Sequence, residues 1–264
     1  MIFIHPGFGK TATTFLQESI FSSQKKINSI GRPYFSSKKK SNFFLCEELK
    51  KNLCFYETKV ARTLIKKIYK PRMVNILSDE TLGNACFKNQ NLILRLKEIF
   101  PNARIFFTIR NQLDSIKSYY ASQGRILKHA PMPFKGRFVK FKDWFDYEVE
   151  NFPNNFMGII QYEPLIKQFE KYFGKKNISI FLYEELESNK DDFLGSLSKM
   201  FNFNLESVCK DKKNLRESMP EFYYTMYRNT FFRGIPFSKI VPFGFFLKKK
   251  FYSFLKSSRK YELE

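Results

Sequence analysis

Apolar and polar residues alternate along the chain in blocks that predict short buried strands and amphipathic helices. Short apolar runs predict four buried strands, at 2–4, 73–77, 103–109 and 178–182. Apolar residues three or four positions apart predict helices after these runs, at 13–21, 92–100, 111–127, 162–173 and 193–201, with two more within 43–69. Pro101 and Gly174 mark the ends of two of these helices.

The alternation of strands and helices predicts the fold class. Strands separated by helices pair in parallel and are covered by helices on both faces. We expect a single α/β domain with a central parallel β-sheet over residues 1–205, and a helical extension over residues 206–264. Ligands bind at the carboxyl ends of such strands. The candidate functional residues are therefore those just after the strands: His5 to Thr14, Ser78 to Glu80, Arg110 to Ser118, and Tyr183.

The composition is that of a folded and strongly basic protein. The 264 residues are 43% hydrophobic and carry a formal charge of +21. This charge attracts polyanions, but it does not distinguish a nucleotide from nucleic acid, an acidic glycan or an anionic membrane. No apolar run approaches the ~20 residues that span a bilayer. We therefore expect neither a secretory signal nor a membrane anchor.

The stretch 222–261 differs from the rest of the chain. It combines many Lys and Arg residues with many Phe and Tyr residues, and it contains no Asp or Glu. Such a segment suits a membrane surface, where rings lie at the acyl boundary and lysines among anionic headgroups. The alternative is a pair of amphipathic helices that pack on the domain.

Cysteine and histidine positions bear on the compartment and on metals. The four cysteines form no C-x-x-C pair, and the only histidines are His5 and His129. This pattern contains no zinc-ligand spacing. We therefore expect a reducing cytoplasm and no structural metal.

The segment HPGFGKTATT, which follows the first strand, has the parts of a phosphate-binding loop. Its glycines let the backbone approach an anion, the helix start offers free N–H groups, Lys10 adds a charge, and the threonines add hydroxyl donors. It is not a Walker A loop, because that motif requires a glycine where Ile4 stands. A tight strand-to-helix turn without a ligand is the alternative.

Two segments together resemble the nucleotide-binding motifs of sulfotransferases. Residues 10–15 (KTATTF) are similar to the family's 5′-phosphosulfate-binding loop, K-[ST]-G-T-T-W. Arg110 and Ser118 have the spacing of its 3′-phosphate motif, R-N-P-x-D-x-x-x-S. Residues 181–186 resemble its segment L-x-[FY]-E-[DE]-L, in which Tyr183 takes the place of the aromatic residue. The resemblance covers about residues 1–205 and implies a P-loop-like fold.

The chain departs from the family pattern at three places. Ala12 replaces the usual glycine and Gln112 the usual proline. Neither change removes a charge, so we treat both as tolerable. The family's C-terminal R-K-G loop is not evident, and the candidate substitutes are Lys212, Lys213 and Asn214.

The resemblance implies transfer of a sulfuryl group from 3′-phosphoadenosine 5′-phosphosulfate (PAPS) to an acceptor hydroxyl or amine, with no metal. It implies that Lys10 reaches the bridging oxygen, and that Arg110 and Ser118 hold the 3′-phosphate. It places Phe15 against a face of the adenine and Tyr183 near the adenine. The other residues that it assigns to the nucleotide are Gly7, Phe8, Gly9, Thr11, Ala12, Thr13 and Thr14.

The acceptor must lose a proton, so we expect a general base at a strand end within reach of the sulfur. Glu80 is the first candidate, because family members with Glu or His at about this place use it as the base. His129 is the second candidate and Asp79 the third. The alternative is that Asp79 or Glu80 caps the following turn. We expect His5 to be a hydrogen-bonded loop residue rather than a base.

Two other functions compete with sulfuryl transfer. A divergent nucleotide-dependent kinase would need Mg²⁺ ligands and a complete Walker loop. A basic nucleic-acid-binding or membrane-docking protein without catalysis would leave the loop and the Arg110–Ser118 segment without a role. We therefore expect no nucleic-acid partner.

The acceptor and the compartment are expectations from the whole chain. Because the chain begins directly on its first strand, we expect a cytoplasmic enzyme, peripheral at the inner face of the membrane if 222–261 docks there. A basic, aromatic-rich surface suits a carbohydrate or glycolipid hydroxyl as the acceptor.

Overall fold

A five-stranded parallel β-sheet forms the centre of the protein. The computed structural model describes residues 1–31, 40–89, 91–122, 134 and 139–205. The strands are β1 (Ile2–His5), β2 (Ile27–Gly31), β3 (Val74–Ser78), β4 (Arg104–Ile109) and β5 (Ile178–Leu182). They lie in the order β2-β3-β1-β4-β5, and every neighbouring pair is parallel. The expected α/β fold class with a central parallel sheet is therefore confirmed.

Helices connect the strands in the described part of the chain. The first begins as α1 (Thr13–Phe15) and continues as a π-helical segment, Leu16–Phe21. The others are α2 (Lys40–Lys50), α3 (Thr58–Ile68), α4 (Glu80–Lys88), α5 (Asn91–Ile99), α6 (Gln112–Ser122), α7 (Phe141–Glu150), α8 (Phe156–Ile159), α9 (Tyr162–Phe173), α10 (Tyr183–Ser188) and α11 (Lys190–Phe201). The apolar pattern does not predict β2, α4, α7 or α8, whereas the predicted helix at 162–173 coincides with α9.

Phe106 and Phe107 of β4 show how helices cover both faces of the sheet. Successive strand residues point to opposite faces, and both rings are fully buried. The ring centroid of Phe106 lies 5.9 Å from that of Phe201 in α11. The ring centroid of Phe107 lies 5.3 Å from that of Phe169 in α9. The burial of large aromatic surfaces on both faces stabilises the sheet.

The chain divides into two compact units. The first comprises residues 1–116 and 151–211 and contains the whole sheet, and the second comprises residues 117–150 and 212–264. Within the second unit, Trp144 of α7 is fully buried, with its ring 5.3 Å from that of Tyr120. The predicted extension 206–264, with its basic aromatic stretch 222–261, lies outside the described residues, so its boundary and its helices stay predictions.

No helix in the described part of the chain combines the length and the apolar character needed to cross a bilayer.

Candidate functional site

The carboxyl ends of β1, β3 and β4 lie side by side at the centre of the sheet. His5 at the end of β1 pairs with Ser78 at the end of β3. As expected, His5 is hydrogen-bonded, through both ring nitrogens, but its expected place in a loop is wrong, because it is the last residue of β1. The loop after β1 packs against α4: Gly83 N–H donates to Pro6 O over 3.0 Å. A Cβ at Gly83 would lie 2.2 Å from Gly7 O, so only glycine allows this approach.

The loop between β1 and α1 has a strained backbone. Gly7 has a φ of 66°, Lys10 of 70° and Ala12 of 63°. For Lys10 and Ala12, this left-handed region costs on the order of 1 kcal/mol each. Such a backbone turns successive N–H groups toward one side and makes a concavity suited to an anion. The positive φ of Ala12 also gives a physical reason for the glycine that the sulfotransferase motif has at this position.

Three charged side chains from different strand ends converge at this loop, and we call Lys10, Glu80 and Arg110 the charged cluster. Burial lowers the pKa of Lys10, the Glu80 carboxylate raises it, and the Arg110 guanidinium lowers it. Arg110 is 9% exposed, and its Nη1 lies 3.5 Å from Lys10 O. Its buried Nε has no hydrogen-bond partner among the described residues. Lys10 is half-buried and Arg110 is buried, and a bound anion would stabilise both cations.

A second set of polar groups lies beneath the loop, and we call it the inner polar chain. Its members are Gln17, Ser78, His5, Thr108 and Thr11. Gln17 Nε2 donates to Ser78 Oγ over 3.0 Å, and Ser78 Oγ lies 2.9 Å from His5 Nδ1. His5 Nε2 lies 3.1 Å from Thr108 Oγ1, which lies 3.1 Å from Thr11 Oγ1. The chain therefore links the strand ends to the loop above them.

The donor and the acceptor of each hydrogen bond in the inner polar chain can be assigned from the number of protons that each group carries. Thr11 Oγ1 donates to Phe8 O over 2.8 Å, so it must accept from Thr108 Oγ1. Thr108 Oγ1 then accepts from His5 Nε2–H, and the bare Nδ1 accepts from Ser78 Oγ–H. A proton on Nδ1 would leave the Ser78 hydroxyl hydrogen without an acceptor in the inner polar chain. In agreement with this, burial lowers the pKa of His5 from 6.5 to about 3.

The predicted loop residues divide into internal and outward groups. The hydroxyls of Thr11 and Thr13 both donate to Phe8 O, and both side chains are buried. The Phe8 side chain is also buried, with its ring 4.7 Å from that of Tyr162. Thr14, by contrast, is exposed. A bond from the Thr11 or Thr13 hydroxyl to a phosphate would therefore require these internal bonds to break.

The remaining loop positions are partly accessible. Gly9 and Phe15 are partly exposed, and a Cβ at Gly9 would meet no atom within 4 Å. Lys190 Nζ lies 5.5 Å from the Phe15 ring centroid. The predicted contact between Phe15 and an adenine stays a prediction.

The two adjacent acids after β3 have different environments. Asp79 is fully buried, and its Oδ1 accepts from Thr81 N over 2.9 Å and from Thr81 Oγ1 over 2.8 Å. Asp79 is thus the N-cap of α4, in line with the capping alternative. Glu80 is the first residue of α4 and is only half-buried, and its carboxylate raises the pKa of Lys10. Its role as a base stays a prediction, and His129 lies outside the described residues.

The start of α10, directly after β5, places an aromatic ring and a carboxylate beside the charged cluster. The Arg110 guanidinium lies over the Tyr183 ring, with Cζ 4.2 Å from the centroid. Glu184 Oε1 accepts from Asn111 N over 2.7 Å. Ser118 lies on α6 in the second unit, and its role beside a 3′-phosphate stays a prediction.

Some residues of the site escape the sequence reasoning. Thr108 is a polar residue in the otherwise apolar strand segment IFFTI, which is the signal that could have found it. Gln17 carries no such signal, because it is an ordinary polar residue in a helix. Glu184 takes the place of a glutamate in the family segment that residues 181–186 resemble, which is the signal that could have found it. The described part of the chain contains no group of three or more His, Cys, Asp or Glu arranged to hold a metal.

Comparison with known proteins relates the chain to sulfotransferases through its fold. No protein-family model and no curated protein sequence matches it. A sulfotransferase from Alicyclobacillus acidocaldarius, known from a crystal structure, matches with a TM-score of 0.55 and 15% sequence identity. The match covers 86% of this chain and 91% of that protein's chain. Its likeness shows that the two chains share a fold.

Two further solved structures match with TM-scores below 0.5. Mouse sulfotransferase SULT7A1, complexed with PAP, has a TM-score of 0.43 and 14% sequence identity, and the match covers 87% of this chain and 64% of that chain. A sulfotransferase domain from the curacin biosynthetic pathway has a TM-score of 0.45 and 15% sequence identity, and the match covers 78% of this chain and 75% of that chain. The fold relationship rests on the bacterial enzyme.

Proposed function

We propose that the protein is a sulfotransferase that moves the sulfuryl group of PAPS to an acceptor hydroxyl of a carbohydrate or glycolipid. The observation that carries this proposal is the convergence of Lys10, Glu80 and Arg110 at one edge of the sheet. The identity of the donor is supported by the resemblance of residues 10–15 and of the Arg110 segment to sulfotransferase motifs. The shared fold with a bacterial sulfotransferase agrees with both.

In the proposed reaction, Glu80 and Lys10 act on the atoms that react, and Arg110 holds the nucleotide. The acceptor oxygen forms a bond to sulfur while the bond from sulfur to the bridging oxygen of the 5′-phosphate breaks. Glu80 takes the proton of the acceptor hydroxyl. Lys10 stabilises the charge that develops on the leaving phosphate oxygen. The products are a sulfate ester and adenosine 3′,5′-bisphosphate, so atoms and charge balance without a further reactant.

Positioning and charge are the main requirements of such an in-line transfer, by analogy with phosphoryl transfer. The strained loop would present backbone N–H groups to the 5′-phosphate, with the exposed Thr14 as an additional donor. Arg110 would hold the 3′-phosphate through its guanidinium edge, where Nε has no partner among the described residues. Ser118 is proposed as the second group on that phosphate.

The acceptor class rests on composition. A charge of +21 would attract an anionic saccharide or a saccharide held at an anionic membrane. The contact with a membrane through 222–261 and the cytoplasmic location are proposals of the same kind.

Transfer of label from [35S]PAPS tests the function. The purified protein is incubated with lactose, with cellobiose, or with vesicles that contain galactosylceramide, and sulfated products are separated by chromatography. The account predicts labelled sulfate ester on at least one acceptor, and none with Lys10→Ala. Parallel reactions contain γ-labelled ATP and Mg²⁺. Label that enters the acceptors from ATP and not from PAPS would identify a kinase and contradict the proposal.

A further inference from the structure

The junction of β5 and α10 lies directly beside Arg110. Ile109 of β4 pairs with Leu182 of β5, so the next residues of the two parallel strands, Arg110 and Tyr183, emerge side by side. The Arg110 Cζ lies 4.2 Å from the centroid of the Tyr183 ring. This distance is within the range of a cation–π contact.

Two further bonds hold this junction in place. The Tyr183 hydroxyl donates to Glu187 Oε1 over 2.7 Å, one turn along α10, and so fixes the ring. The Glu184 carboxylate accepts from Asn111 N over 2.7 Å, and so fixes the backbone just after Arg110. The junction therefore contacts Arg110 through its side chain and through the neighbouring peptide.

Stacking on a ring uses the face of a guanidinium and leaves its N–H edge available. In Arg110 this edge includes the buried Nε, which has no partner among the described residues. Within the described part of the chain, Nη1 makes one long contact of 3.5 Å, to Lys10 O. An arginine whose face is held and whose edge is available is prepared to bind a planar or tetrahedral oxyanion with two hydrogen bonds.

From this geometry we propose that Tyr183 is a positioning residue, which acts through Arg110 and makes the site selective for a ligand with a 3′-phosphate. This role rests on the proposed function. It differs from a direct contact between Tyr183 and the adenine, because adenine is present in ligands with and without a 3′-phosphate.

The test compares two ligands by calorimetric titration of the wild type, two Tyr183 variants, Arg110→Ala and one double variant. Adenosine 3′,5′-bisphosphate carries the 3′-phosphate and adenosine 5′-phosphate lacks it. Tyr183→Leu should weaken binding of the bisphosphate roughly five- to thirtyfold and leave the 5′-phosphate within about twofold. Tyr183→Phe keeps the ring and should recover most of the affinity. In an Arg110→Ala background, Tyr183→Leu should have no further effect on the bisphosphate, since neighbouring residues that act together are not additive.

The outcomes separate this role from the proposed function. If Tyr183→Leu weakens both ligands equally, the ring contacts the adenosine part and the positioning role is overturned. Unchanged binding of the bisphosphate by Tyr183→Leu also overturns it. A wild-type protein that binds both ligands equally would overturn the proposed function, and this role with it. A circular dichroism spectrum of each variant shows that the fold is retained.

Discussion

The inner polar chain and the charged cluster lie at the same end of the sheet, but their polar groups are satisfied in different ways. In the inner polar chain, every step from Gln17 to Phe8 O has a donor and an acceptor. In the charged cluster, burial lowers the pKa of Lys10, and Arg110 Nε has no partner among the described residues. The inner polar chain stabilises the folded structure, whereas the charged cluster carries an electrostatic cost that a bound anion would remove.

Lys10 and Thr11 show how one loop serves both arrangements. They are neighbours in sequence, yet Thr11 is fully buried in the inner polar chain and Lys10 belongs to the charged cluster. The left-handed backbone at Lys10 and Ala12 accompanies this division. Variants of the charged cluster should therefore change turnover without unfolding the protein, and variants of the inner polar chain should do the reverse.

Lys10→Ala should have the largest effect. Loss of a cation that stabilises the leaving phosphate is expected to lower kcat by roughly 10³- to 10⁵-fold, by analogy with the arginine of phosphoryl transfer. Turnover of PAPS is the measurement. Lys25→Ala, at an exposed lysine before β2, is the matched control and should keep normal turnover. Unfolding in urea should be the same for both variants, and near-normal turnover by Lys10→Ala would remove Lys10 from the mechanism.

Glu80→Gln should have the next largest effect. Loss of a general base lowers kcat by roughly 10²- to 10⁴-fold, while nucleotide affinity should hardly change. Asp79→Ala at the adjacent position should instead lower the free energy of unfolding by about 1 kcal/mol or more, because it removes the N-cap of α4. If Glu80→Gln retains normal turnover and only loses stability, Glu80 has a structural role and the distinction between the two acids is wrong.

Acidification should weaken the inner polar chain. The pKa of His5 is about 3 in the folded protein and close to 6.5 in an unfolded chain, so the unfolded state binds the extra proton as the pH falls below about 6.5. This linkage predicts a free energy of unfolding about 2 kcal/mol lower at pH 5 than at pH 7.5.

Urea unfolding at both pH values measures this linkage. His5→Gln, which cannot titrate, is the control, and its change between the two pH values should be smaller by the same amount. Equal changes in both proteins would show that His5 is protonated as easily in the folded state as in the unfolded state.

Ala12→Gly should have the smallest effect and the opposite sign. Glycine adopts a φ of 63° without the steric cost that alanine has there, so the variant should gain about 0.5–1 kcal/mol in free energy of unfolding. Ala85→Gly, inside α4, is the matched control and should lose a similar amount. A loss of stability in Ala12→Gly would contradict the strained loop.

The periodic elements of the fold could be predicted from the sequence. The apolar run 103–109 and the helical spacing at 162–173 correspond to β4 and α9. The strand β2 has the sequence INSIG, in which polar residues and a glycine interrupt the apolar run that would predict a strand. The helix α4 contains Gly83 and Asn84, which are typical of turns, and Gly83 is there because the helix lies against Gly7 O. Tertiary contact, not local preference, determines these two elements.

The positions of the candidate site followed from topology, but its hydrogen bonds did not. Parallel strands bring their carboxyl ends to one edge, so Lys10, Glu80 and Arg110 could be expected near one another. The sequence could not tell that the Thr11 hydroxyl turns inward to Phe8 O, because this depends on the strained backbone around it. It also could not tell that Tyr183 meets the face of Arg110, which depends on the register of β4 and β5.

The central claim is that the site binds a nucleotide whose 3′-phosphate is held by Arg110. Calorimetric titration of the wild-type protein and of Arg110→Ala with adenosine 3′,5′-bisphosphate and adenosine 5′-phosphate tests it most directly. The account predicts that the wild type prefers the bisphosphate by roughly 10- to 100-fold, as expected for hydrogen bonds between charged groups, and that Arg110→Ala loses this preference. Equal affinity of the wild type for both ligands would contradict the claim.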